Sequence, residues 1–351
     1  MAKQNGCTWI PLKGLSLLYG MVTRVRNALY DRGLLRSYTS SLPIISIGNL
    51  TAGGNGKTPL CLYLVDELRS RGRKPVILSR GYGGRFKGPY LVRPVDAPGD
   101  VGDEPLLMAR TSKVPVVIAR SRSQGARMIE REQLGDVIVL DDGFQHRALA
   151  RDLDIVSMFA GSEDAVDSFV RGEILPLGRF REDRDAGMQR AALFVVSYRN
   201  VVPLGEEMPA VDVRILSLVP SGVTVFRAAY DFLEVSSLQS GAVIRPQKVH
   251  AFAGIANPQG FFNSLERVGF VVEERHQFPD HYAFTEAELA GLVDAHPGTL
   301  FVCTEKDAVK IRGMSERVVS AFAEFRVRLK VVPSDAFIVA VMRSIHNVSA
   351  V

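Results

Sequence analysis

Cysteine is scarce in this chain. Cys7, Cys61 and Cys303 are odd in number and far apart, with neither a metal-ligand spacing nor a disulfide framework among them. That argues against a disulfide-stapled secreted fold and suits a reducing compartment. Long apolar runs are missing too: none approaches the ~20 residues that a membrane-spanning helix needs. The first residues lack the apolar core and small-residue cleavage pattern of a signal peptide, so the expectation is a cytoplasmic protein. A dense basic stripe with interleaved aromatics is also absent, and nucleic acid is not an expected partner.

What is present describes a globular chain with a substantial core: 46% hydrophobic and 23% charged over 351 residues, room for two domains or one large one. The net charge of +5 matters mainly for its location. Residues 1–40 hold Lys3, Lys13, Arg24, Arg26, Arg32 and Arg36 against Asp31 alone, and the remainder is nearly neutral. Within this segment, Trp9 to Leu35 reads as an amphipathic helix. Leu15, Leu18, Tyr19, Val22, Val25 and Leu29 share one face; Arg24, Arg32 and Arg36 lie off it. Such a helix either lies in the interface of an anionic membrane or packs its apolar face on the core.

The most informative stretch is Pro43 to Leu60, PIISIGNLTAGGNGKTPL. A β-branched run, Ile44 to Ile47, predicts a buried strand; a glycine-rich turn follows; Lys57-Thr58-Pro59 opens a segment of helical spacing through Leu68. Strand, glycine loop, Lys-Thr and helix is the phosphate-binding arrangement of P-loop proteins. The loop Thr51, Ala52, Gly53, Gly54, Asn55 and Gly56 can turn backbone N–H groups on an anion. Lys57 adds a charge at the outer phosphates, and Thr58 offers a hydroxyl to Mg²⁺. Thr51 stands where the strict pattern has glycine.

Further along, Lys74-Pro75-Val76-Ile77-Leu78 predicts a strand running into Ser79-Arg80-Gly81-Tyr82-Gly83-Gly84, where Arg80 can reach phosphates at a strand's carboxyl end. Gly102-Asp103-Glu104-Pro105 precedes a helical segment, so Asp103 reads either as an N-cap or as a general base. Val114 to Ala119 predicts another strand, with Arg122 just beyond it. Val137-Ile138-Val139-Leu140 ending in Asp141-Asp142 is the Walker B pattern, a strand that carries a carboxylate to the P-loop's magnesium; His146 follows closely. A second α/β lobe starts near Lys248, and a cleft between lobes is the expected binding site. The guanine-reading Asn-Lys-x-Asp of a GTPase switch is absent; Thr304-Glu305-Lys306-Asp307 has the wrong order.

Taken together, GNLTAGGNGKTP (Gly48–Pro59), SRGYGG (Ser79–Gly84), GDEP (Gly102–Pro105), DDGFQH (Asp141–His146), LPLGRFRE (Leu175–Glu182), FPDH (Phe278–His281) and TEKDAVK (Thr304–Lys310) resemble, in this order, the tetraacyldisaccharide 4'-kinases of Gram-negative bacteria. The resemblance spans almost the whole chain and includes the relaxed P-loop. It implies an α/β fold of two Rossmann-like lobes, the first a P-loop NTPase-type parallel sheet, joined by a β-stranded linker. The expected division is a membrane-contacting helix at 1–40, a kinase domain at 41–200, a linker at 201–247 and a smaller α/β domain at 248–351. It implies ATP and Mg²⁺ as cofactors, and transfer of the γ-phosphate to the 4'-hydroxyl of a tetraacylated glucosamine disaccharide 1-phosphate in lipid A synthesis. The enzyme would be peripheral or monotopic at the cytoplasmic face of the inner membrane. By residue, it implies Thr51 to Thr58 on ATP, and Thr58, Asp141 and Glu182 about the metal, with Glu173 the alternative to Glu182. Asp103 would be the base, tuned by His281 from the other lobe. Arg80, Arg122, Asp142 and His146 would complete a polar shell. The competing readings are a soluble P-loop small-molecule kinase and a GTPase-like switch.

Overall fold

The computed structural model describes residues 6–53, 56–201 and 208–346. Gly54 and Asn55 of the expected phosphate loop lie outside the described residues, as do the ends of the chain and residues 202–207 of the expected linker. The fold is α/β, as expected. Its strands are β1 (Ile44–Gly48), β2 (Pro75–Ser79), β3 (Tyr90–Leu91), β4 (Val116–Ile118), β5 (Val137–Asp141), β6 (Leu153–Phe159), β7 (Leu193–Val201), β8 (Thr224–Ser237), β9 (Val243–Ile244), β10 (Lys248–Ala253), β11 (Val271–Gln277), β12 (Phe301–Thr304) and β13 (Phe322–Val332). They form one continuous sheet in the order β11-β10-β12-β13-β8-β7-β6-β1-β5-β2-β4-β3, with β9 paired to β8. β1, β2 and β5 are buried along their whole length, which is why they read as unbroken apolar runs rather than alternating ones.

The connection between lobes creates the cleft. β8 is 14 residues long, and β13 pairs with it antiparallel from Ala323↔Ser237 to Val332↔Arg227. At one end of this ribbon β7 joins β8 in parallel, Leu193↔Thr224 onward. At the other end β12 joins β13 in parallel, Phe301↔Phe322 to Thr304↔Phe325. The parallel strands of the two lobes therefore run in opposite senses, and their carboxyl edges face each other along the ribbon. Ligands of open α/β sheets bind at such edges, and here two edges share one space floored by β8 and β13. β13 is absent from the sequence reading, although FAEFRVRLKVV alternates apolar and charged residues over much of its length.

The amphipathic segment is a helix, Gly6–Asp31, docked the opposite way to a core-packed one. Ser16, Gly20, Thr23 and Asn27, spaced three and four apart, are its buried stripe. Leu15, Leu18, Val22 and Val25 each keep more than half of their surface exposed (54%, 54%, 57% and 55%). A globular helix normally does the reverse. No described helix is long and apolar enough to cross a membrane.

Candidate active site

The register of three neighbouring strands builds the first wall. Ile47 of β1 lies opposite Asp141 of β5, and Leu78 of β2 opposite Leu140, so Gly48, Ser79 and Asp141 arrive at one edge. Gly48 must be glycine: a Cβ there would sit 2.5 Å from that of Phe144. The phosphate loop is strapped from outside by the segment 175–182, with Ala52 N–H donating to Arg179 C=O (2.7 Å) and Arg181 N–H to Leu50 C=O (2.8 Å). Helix Lys57–Ser70 starts at the lysine and buries Leu60, Cys61, Leu64, Val65 and Leu68. Lys57 Nζ reaches Asp142 Oδ1 at 3.5 Å, and Arg181 reaches the same oxygen at 3.1 Å. Burial opposes charge on Asp142, but Lys57 and Arg181 prevail and hold it below the usual carboxylate range.

Asp141 is different. Ser79 Oγ donates to its Oδ2 at 2.9 Å, while Oδ1 is buried with no hydrogen-bond donor among the described residues. Burial first, then the carboxylates of Glu104 and Asp142, pushes Asp141 up to about 7. A buried lone pair of this kind is costly unless something positive meets it. It lies in the same cleft as Thr58 and Lys57. Hard divalent cations take carboxylate and hydroxyl oxygens, so the donor set fits Mg²⁺.

The second wall is assembled from distant sequence. Asp103 is the first residue of helix Asp103–Thr111, not its cap: the cap is Gly102, and no side chain closes it. At φ 94° a Cβ on Gly102 would also lie 2.4 Å from the Tyr82 carbonyl, so only glycine allows this turn to lean on the Ser79–Gly84 loop. The freed Asp103 carboxylate faces His281 Nδ1 and Lys310 Nζ, each at 3.4 Å. Lys306 Nζ stands 3.1 Å from His281 Nε2. An ammonium has only protons to give, so Nε2 is the acceptor and the ring's own proton sits on Nδ1, toward Asp103. Lys306 also approaches Glu104 at 3.6 Å, and Arg110 donates to the Val309 carbonyl at 3.1 Å, so the two lobes meet here. Lys310 and Lys306 carried no assigned role in the sequence reading. Their signal was Thr304-Glu305-Lys306-Asp307 at a strand end, where Thr304 caps helix Glu305–Ile311 by accepting from Asp307 N–H.

The remaining expected residues fall into two groups. Arg80 lines the cleft from the β2 edge. Arg122 and His146 lie behind it. Burial draws Arg122 down to about 10. Burial and then Arg122, Arg151, Arg80 and Arg26 press His146 down to about 4, leaving a neutral ring at pH 7. Glu182, expected at the metal, is 1% exposed and absent from the cleft lining. Arg190 grips both its oxygens (2.8 and 3.0 Å), Asn27 donates at 2.7 Å and Gln145 at 3.1 Å. Burial works against its charge, yet these donors hold it below the usual range. Here it anchors the N-terminal helix to the phosphate-loop strap, with Ser16 Oγ donating to Ile174 C=O at 2.8 Å and Tyr19 Oη to Arg181 C=O at 3.0 Å. Glu173 pairs with Arg171 at 3.5 Å.

The cleft is about 950 Å³ and runs from the phosphate loop to Tyr19 and Arg26 of the N-terminal helix. It joins a phosphate-binding turn, the acidic pair and, from the other lobe, His281 and Lys306; Asp103, held by His281 and Lys310, is next to this lining and not part of it. That combination can hold a polyphosphate, with a carboxylate at His281 to take the proton of a hydroxyl brought to it.

A family model described as tetraacyldisaccharide-1-P 4'-kinase matches residues 8–346. A tetraacyldisaccharide 4'-kinase of Shewanella amazonensis is 38% identical over 314 residues, covering 88% of this chain and 85% of its own. One from Halorhodospira halophila is 39% identical over 326 residues, 89% of this chain and 87% of its own. The solved structure of LpxK from Aquifex aeolicus, described as an apo form in complex with ATP, superimposes with a TM-score of 0.75 at 29% identity, covering 96% of this chain and 99% of that one.

Proposed function

The chain belongs to the tetraacyldisaccharide-1-P 4'-kinase family, and from that premise we propose that it moves the γ-phosphate of ATP to the 4'-hydroxyl of an acylated glucosamine disaccharide 1-phosphate at the cytoplasmic face of the inner membrane. The product is the bisphosphorylated lipid IV-A stage of lipid A synthesis. The observation that carries this reading is a single cleft lined by the phosphate loop on one wall, by His281, which contacts Asp103, on the other, and by Tyr19 and Arg26 of the N-terminal helix whose leucines are exposed.

Lys57 and the loop backbone hold the outer phosphates of ATP. Thr58 and Asp141 would hold Mg²⁺, which would supply positive charge against the transferring phosphoryl group. Asp142, fixed by Lys57 and Arg181, keeps the lysine aimed along the loop. Asp103 takes the proton of the sugar hydroxyl, and His281 and Lys310 hold its carboxylate in place. Glu182 acts at a remove, by fixing the strap over the phosphate loop. The outward apolar face rests in the lipid interface, and with it the acyl chains stay in the bilayer while the headgroup enters the cleft.

Incubation with γ-labelled ATP and the acylated disaccharide 1-phosphate in mixed micelles tests this. A labelled bisphosphorylated lipid is expected. Label released only as free phosphate contradicts it, and equal phosphorylation of a deacylated, water-soluble disaccharide favours a soluble sugar kinase. A GTPase-like switch is disfavoured because Lys306 is engaged across the cleft with His281 and Glu104.

A further inference from the structure

A second cluster of chemistry-bearing side chains lies on the other side of the C-terminal lobe. Three of the chain's six histidines meet there with a glutamate: His250, Glu274, His276 and His296 present ligand atoms all within 4.8 Å of one another. Three elements supply them. His250 is on β10, Glu274 and His276 are two residues apart on the edge strand β11, and His296 caps the end of helix Glu286–Ala295. A β-bulge makes the meeting work. The register slips between Val249 and His250, so His250 faces Glu274 rather than Glu273. Because successive side chains of a strand alternate between faces, that single extra residue brings Glu274 and His276 onto the face of His250.

The distances suit one central ion. His250 Nδ1 lies 3.2 Å from His276 Nε2 and 3.6 Å from Glu274 Oε2. Glu274 is 3.9 Å from both His276 Nε2 and His296 Nε2. Four ligands held at about 2.0–2.1 Å in a tetrahedron stand roughly 3.3 Å apart. His250 is buried, and the ring of Phe301, itself wholly buried, floors the cluster at 5.4 Å from His250. Without a cation, His250 Nδ1 and His276 Nε2 are close enough to share a single hydrogen bond.

We propose that His250, Glu274, His276 and His296 form a closed, four-ligand site for a borderline divalent transition-metal ion, best matched by Zn²⁺, which fastens the edge strand β11 and the end of helix Glu286–Ala295 to β10. Three imidazoles and a carboxylate select such an ion over Mg²⁺, which takes oxygen ligands. In the sheet order β10 and β1 are six strands apart, so this site is separate from the one that serves ATP. With all four positions filled by protein, its role is structural.

The test uses the full chain, carrying no affinity-tag histidines, stripped with chelator and titrated with Zn²⁺ under excess Mg²⁺. Bound metal is measured by emission spectroscopy, thermal unfolding is followed in parallel, and Co²⁺ serves as a spectroscopic stand-in. One ion per chain, a raised Tm and a tetrahedral Co²⁺ spectrum are expected. His276→Gln and the more exposed His296→Gln should each weaken binding by at least ~100-fold and abolish the Tm gain. ATP turnover under Mg²⁺ should persist in His296→Gln. Absence of bound Zn²⁺ at micromolar free metal overturns the proposal, as does unchanged stoichiometry in both variants.

Discussion

The two walls of the kinase cleft are built in different ways. On the first, Gly48, Ser79 and Asp141 come together because parallel register brings three adjacent strand ends level. Every group there sits within a few residues of its strand. On the second, Asp103, His281, Lys306 and Lys310 come from a helix start, a loop and a helix in two lobes, and meet only because the β8–β13 ribbon turns the two carboxyl edges toward each other. In the proposed function the first wall binds phosphates by local geometry and the second prepares the acceptor by long-range geometry, so a small displacement of one lobe should disable the second while sparing nucleotide binding.

The largest effect should therefore come from removing the group that both lobes converge on. Asp103→Asn is expected to lower kcat by ~10²–10⁴-fold with ATP affinity little changed, measured by steady-state kinetics and nucleotide titration. Lys310→Met, which removes the buried cation between Asp103 and Asp307, should lower kcat by ~10-fold, again at constant ATP affinity. A matching loss of ATP binding would erase the division between the walls. Replacing the outward residues Leu18 and Val22 with Asp should weaken binding to anionic vesicles by ~10-fold per residue and leave the fold intact by circular dichroism. Glu182→Gln should act through stability, costing ~3 kcal/mol because Arg190 is left buried and unpaired; its signature is a lower Tm with an unchanged Mg²⁺ requirement. A further effect concerns pH. His146 titrates near 4 in the folded chain against 6.5 unfolded, so stability it contributes above 6.5 is lost as pH falls through about 4. His146→Gln should flatten the decline of Tm across that window.

How much of this was legible in the sequence follows the same division. β1, β2, β5 and the acidic pair were readable because a buried parallel strand is an apolar run and its loop is contiguous. Helix Glu286–Ala295 carries a start signal in its residues, the capping box of Thr285 with Glu288. The pairing of Asp103 with His281 came only from the family resemblance, since spacing alone left Asp103 as a cap or a base. Lys310 was silent because the carboxylate that gives it a place at the site, Asp103, is on the other lobe. Glu182 was misdirected toward the metal because proximity in a motif does not reveal that Arg190, Asn27 and Gln145 occupy its oxygens. Periodicity showed that the N-terminal helix has an apolar face but not which way it points; that depended on Ser16 and Asn27 finding partners on the protein. The histidine cluster matches no compact spacing, because a bulge and a helix end create it.

The central claim is that acceptor activation is a joint property of both lobes. A double-mutant cycle on kcat with Asp103→Asn, His281→Ala and the pair measures it directly. If the histidine acts through the carboxylate, the double variant should be scarcely slower than Asp103→Asn alone. Losses that simply multiply would mean that the two side chains act independently, and the two-wall account would fail.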